Sequence, residues 1–133
     1  MKKVSEDMEK FYFYYAHLIE YYQRIEDDLE KIYARISDNV VQGFEEVERD
    51  SISAIIRKIR NAQLQKNTHI ITDEEMRKIE EMCKRRNYWV HNCFLKFPLD
   101  DRIKKNTEIN TTQELINDFF EAEKIVEILM SKF

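Results

Sequence analysis

Arg86, Asn87 and His91 fall within one six-residue run, Arg86-Asn87-Tyr88-Trp89-Val90-His91, inside a segment otherwise patterned as an amphipathic helix. A guanidinium is permanently charged and meets phosphate oxygens through two parallel hydrogen bonds. An imidazole titrates near neutral pH and can give or take a proton. An amide beside them can orient either group. Burying such groups among apolar neighbours costs about 1–3 kcal/mol for each unsatisfied atom, so the set calls for a carboxylate, a second subunit or a bound phosphate.

These three side chains suit cleavage of RNA by its own 2′-hydroxyl. That reaction needs a base for the hydroxyl, an acid for the leaving 5′-oxygen, and a cation beside the negative oxygens of the pentacoordinate phosphorus. His91 would supply the proton transfers, Arg86 the charge and Asn87 the positioning, with neither metal nor cofactor required. DNA lacks the attacking hydroxyl, so the substrate class would be RNA.

The spacing constrains the geometry. On an ideal helix Asn87 and His91 stand about 40° apart and share a surface, whereas Arg86 and His91 are about 140° apart. A two-fold homodimer that pairs this helix with itself would bring two arginines and two histidines together. The alternative is structural: Arg86 would form a buried ion pair with an acidic residue of the first helix, such as Glu20, Asp27 or Asp28. Lys84 and Arg85, extended by Lys104 and Lys105, form a short basic patch that could follow a phosphate backbone.

Other candidates carry less. Cys83, His91 and Cys93 on one helix do not make a tetrahedral zinc set, and a fourth ligand is missing. His17 and His69 stand alone. The aromatic run Phe11-Tyr12-Phe13-Tyr14-Tyr15 could stack on bases, but packing in a core or dimer seam accounts for it more simply.

Four helical segments must position these groups. The first spans about Ser5 to Ile36 and carries Met8, Phe11, Tyr15, Leu18, Tyr22, Ile25, Leu29, Ile32 and Ile36 in alternating steps of three and four. The second runs from Val40 to Leu64, with Phe44, Val47, Ile52, Ile55, Ile56 and Ile59 inward and with Gly43 as a destabilising residue near its start. Gln65 to Ile71 reads as a connector. The third opens on the capping box Thr72-Asp73-Glu74-Glu75 and carries Met76, Ile79, Cys83, Arg86, Val90, Cys93 and Phe97 until Pro98 stops it. A polar loop from Leu99 to Asn110 follows. The fourth starts at Thr111-Thr112-Gln113-Glu114, with Leu115, Phe119, Ala122, Val126, Leu129 and Phe133 as its stripe. The expected fold is all-α, an up-down-up-down four-helix bundle occupying residues 1–133 as one domain.

Composition sets further bounds. One Gly and one Pro in 133 residues leave few tight turns, and 36% charged with 43% apolar residues fits amphipathic helices rather than disorder. A net charge of −4 argues against nucleic-acid binding by bulk electrostatics, so any RNA contact would be local. No apolar run suggests a membrane span or signal peptide. Cys83 and Cys93, ten residues apart, cannot bridge along a continuous helix, and reduced thiols suit a cytoplasmic location.

The pattern Arg86-Asn87, three residues, His91, on the third of four helices, resembles the HEPN superfamily. The resemblance covers the four-helix layout over nearly the whole chain and rests on those three residues. It implies a metal-independent endoribonuclease with a composite site at a homodimer interface, acting as a prokaryotic toxin or phage-defence effector. A non-catalytic helical interaction module, or a nucleotide- or RNA-binding module, is the alternative. The resemblance also suggests an antitoxin or nucleotidyltransferase partner. In HEPN toxins paired with such a transferase, a tyrosine commonly stands two residues beyond the histidine; this chain has Cys93 there, which speaks against that form of control.

Overall fold

The computed structural model describes residues 6–92 and 105–133, with the backbone alone at Asp7, Asn92 and 105–111. Every regular element among them is helical: α1 (Glu6–Ile36), α2 (Val40–Val47), α3 (Ile52–Lys66), α4 (Asp73–Asn87), a π-helical turn (Tyr88–Asn92) and α5 (Lys105–Met130). None of the described helices is long and apolar enough to cross a membrane.

Helix α1 is the backbone of the core. Phe11, Leu18, Tyr22, Ile25, Leu29, Ile32 and Ile36 are buried, as the three-and-four spacing of the segment requires. Its neighbours are α2, α3 and α5, while α4 packs on α3 and α5. Ile52, Ile55, Ile56 and Ile59 of α3, Met76, Ile79 and Cys83 of α4, and Leu115, Ala122, Val126 and Leu129 of α5 complete the apolar interior.

The second segment is two helices rather than one. Ser51 caps α3 by accepting from the Ala54 amide at 3.2 Å, and its extended backbone breaks the helical run after Val47. The N-cap signal in Asp50-Ser51 competes successfully with an apolar pattern that continues across it. Rotating α2 away from the line of α3 leaves Phe44, expected inward, 39% exposed. Gly43 also has a different role from the one expected. A Cβ there would lie 2.8 Å from the Ala34 Cα, so the glycine permits α2 to approach α1 closely.

Helix α5 begins six residues before the expected cap. Its backbone is helical from Lys105, so Thr111 and Thr112 lie inside the helix and residues 105–110 are not loop. No Gly or Pro stands between Lys105 and Thr111 to halt propagation toward the N-terminus. Phe133, expected on the buried stripe, is 58% exposed beyond the helix end. Cys93, Phe97, Pro98 and the segment 99–104 lie outside the described residues.

The α4 start is built as expected. Thr72 accepts from the Glu75 amide while the Glu75 carboxylate accepts from the Thr72 amide, a complete capping box. Behind it, the buried Gln63 amide group bonds both the N–H and the C=O of Ile71, at 2.8 and 3.1 Å. This pins the connector that leads into the helix bearing the candidate residues.

Candidate functional site

The C-terminal end of α4 holds the residues singled out by type. Asn87 is the last residue of α4, and Tyr88–Asn92 continue as a π-helical turn with i→i+5 hydrogen bonding. A π turn holds more residues per revolution than an α turn, so the side chains within it change face. The regular stripe would bury Val90. Instead Val90 is 37% exposed and Trp89 is fully buried. Within a π turn, positions five apart stand closer around the axis than on an ideal α-helix.

Trp89 explains why the turn settles there. Its indole Nε1 donates to Asp118 Oδ2 of α5 at 2.6 Å, and its carbonyl accepts from the Tyr15 hydroxyl of α1 at 3.0 Å. The π turn thus seats the chain's single tryptophan in the core with both polar atoms satisfied.

Arg85 belongs to the same seam. Its Nε donates to Asp118 Oδ2 at 2.8 Å, Nη2 lies 3.6 Å from a Glu114 oxygen, and its guanidinium sits over the Tyr88 and Trp89 rings at 5.4 and 6.0 Å. Partial burial works against its charge, but the Asp118 and Glu114 carboxylates outweigh that and hold its pKa above the ordinary value. Arg85, expected in the RNA-binding patch, is therefore committed to holding α4 on α5.

Arg86 is placed differently. It turns toward α1, where its Nη2 lies 3.7 Å from Glu26 Oε2, and its side chain is 23% exposed. Its Nε is buried with no hydrogen-bond partner among the described residues. An acidic residue of the first helix does face it, but Glu26 rather than the three expected. Asp27 pairs with Lys31 at 2.8 Å, Glu20 lies 3.7 Å from His17, and Asp28 is buried with its Oδ2 unpartnered among the described residues. Desolvation by burial raises the Asp28 pKa.

Asn87 and His91 are exposed. Asn87 does not share the Arg86 side of the helix. It lines a groove of about 340 Å³ between α3 and α4, together with Ser53, Ile56, Arg57, Arg60, Glu80, Cys83 and Lys84. Arg60 and Glu80 form an ion pair across it. Lys84 is exposed in this groove, Lys105 is the first backbone residue of α5, and Lys104 lies outside the described residues. The Cys83 thiol at the groove floor is pushed up to about 12 by burial, against a lowering influence from Arg86, which keeps it an unreactive thiol near neutral pH.

No family model, curated protein or solved structure matches this chain. Its geometry is therefore the ground for a functional reading. Glu26, Asp118 and the α3 arginines were not expected at the site. The groove had a visible signal, since 53, 56, 57, 60 and 80, 83, 84, 87 are both i, i+3, i+4, i+7 faces. For Asp118 the signal was weaker: a core tryptophan and a flanking arginine both need an acceptor.

Proposed function

We propose that this chain is a metal-independent endoribonuclease of the HEPN type, working in the cytoplasm as a two-fold homodimer. In this reading α1, α3, α4 and α5 form an up-down-up-down four-helix bundle, with α2 a short addition to the α1–α3 connection. His91 moves the protons, Arg86 stabilises charge on the scissile phosphate and Asn87 orients the phosphate or the imidazole. The partner copy contributes its own set across the interface. A toxin or phage-defence role, restrained by an antitoxin, follows from the same resemblance.

One observation carries the reading: exposed Asn87, just before a π turn, and exposed His91, within it, stand beside an arginine whose Nε has no acceptor among the described residues. Single π turns inside α-helices recur at functional sites. A guanidinium with spare donors, a quarter exposed and weakly paired, is suited to exchanging a carboxylate at 3.7 Å for a phosphate.

The test is incubation of purified protein with total RNA in EDTA. Fragments ending in 2′,3′-cyclic phosphate are expected. His91→Ala and Arg86→Ala should each slow cleavage by about 100-fold or more. Cleavage that persists in both variants overturns the assignment.

Glu26 favours a second reading, a non-catalytic RNA-, nucleotide- or protein-binding module. Its carboxylate already faces Arg86 and lowers the local positive charge. That reading predicts a ligand bound without cleavage, and biological effects unchanged in His91→Ala.

A further inference from the structure

The groove between α3 and α4 has a composition unlike the rest of this acidic chain. Each helix contributes one face of four residues: Ser53, Ile56, Arg57 and Arg60 from α3, Glu80, Cys83, Lys84 and Asn87 from α4. Ile56 and Cys83 are buried and form an apolar floor. Three cations stand on the walls against one carboxylate, in a chain whose acidic residues outnumber its basic ones, 26 to 22. Glu80 is occupied by Arg60. Arg57 and Lys84 face each other's helix with no ion-pair partner among the described residues, and both are exposed.

Like charges gathered in a concave surface over an apolar floor repel one another unless a counter-charge lies between them. From Glu80 to Asn87 the wall runs about 10 Å, enough to follow a short stretch of phosphate backbone. Its far end is Asn87, one helical turn before His91. We propose that this groove is the track for the phosphate backbone of single-stranded RNA, gripped by Arg57 and Lys84 and delivering the strand to Asn87 and His91. The choice of RNA rests on the ribonuclease reading, while the grip on phosphate does not. Sequence-independent contact is expected, because ammonium and guanidinium groups on a backbone read charge rather than base edges.

The experiment uses the full chain carrying His91→Ala, so that the strand survives, and a fluorescently labelled single-stranded oligoribonucleotide in EDTA. Anisotropy titrations are run across a series of salt concentrations. Adding Arg57→Ala and Lys84→Ala should weaken binding at least tenfold and lower the log–log salt slope by about 1.4, two contacts at about 0.7 each. Arg57→Lys with Lys84→Arg should keep the slope. Removing two cations remote from the groove, Lys31→Ala with Lys124→Ala, should change neither quantity beyond a few-fold. Equal affinity and slope in the groove variant, or no binding by the parent, overturns the proposal. Equally tight, equally salt-sensitive binding of a polyglutamate peptide overturns the RNA assignment. The two readings fail separately. Groove-dependent binding without any cleavage by the wild type removes the ribonuclease, and His91-dependent cleavage indifferent to Arg57 and Lys84 removes the track.

Discussion

Two neighbouring arginines on α4 meet opposite fates. Arg85 faces α5 and finds a carboxylate at hydrogen-bond distance, a second carboxylate, and two aromatic rings beneath it. Arg86 faces α1 and finds one carboxylate at 3.7 Å, with its Nε unbonded among the described residues. On the α5 side the Asp118 carboxylate receives both Arg85 and Trp89 and closes the seam between the two helices. The α1 and α3 sides hold spare donors. A site that must bind something else cannot satisfy its own polar groups completely, and that difference is what the proposed roles of Arg86, Asn87 and His91 rest on.

The largest effect should come from the closed side. Trp89→Ala removes a fully buried ring and one of the two donors to Asp118, and should cost about 3–5 kcal/mol in denaturant unfolding followed by circular dichroism. A cost under about 1 kcal/mol would mean that the seam does not hold the helix. Asp118→Ala, which keeps the ring but orphans the indole N–H and takes from Arg85 its nearer carboxylate, should cost about 2 kcal/mol, part of it screened because Arg85 is partly exposed.

At the other end of α4, Glu75 provides a pH test. Burial alone would raise its pKa, but the Thr72 amide and the Lys132 ammonium, 2.9 Å away, outweigh it and hold the carboxyl below its usual range. The unfolded chain therefore takes up this proton more readily than the folded one. The stabilisation is fully present above the unfolded pKa and is lost as pH falls through the lowered folded value. Glu75→Gln should cost about 1 kcal/mol at pH 7 and flatten the acid limb of a stability–pH curve.

The smallest effect belongs to the open side. Arg86→Met should leave stability within about 1 kcal/mol of the parent, or raise it, because it removes a donor that has no acceptor. A loss of about 3 kcal/mol would instead show Arg86 to be a structural ion pair.

The helical character of the chain and the buried faces of α1 and α3 were legible from residue spacing, since a 3.6-residue period needs no tertiary information to be read. The Thr72 capping box was equally local. Reading failed where two local signals competed. Ser51 broke a continuous apolar pattern, and the threonines at 111 and 112 failed to stop a helix that could extend past them. The candidate triad was legible as residue types, but its grouping was not: Asn87 opens on α3 and Arg86 on α1, while their neighbour Arg85 turns to α5.

Taken alone, the order of amino acids determined that this protein is helical, where α4 begins, and which side chains have the chemistry to handle a phosphate. Only the folded arrangement decided which of three adjacent polar residues would be consumed by the interior and which left available. The reason is that periodicity is carried by neighbours along the chain, whereas a hydrogen-bond acceptor such as Asp118 arrives from a distant helix. One π turn buries Trp89 rather than Val90, and no local rule announces that choice.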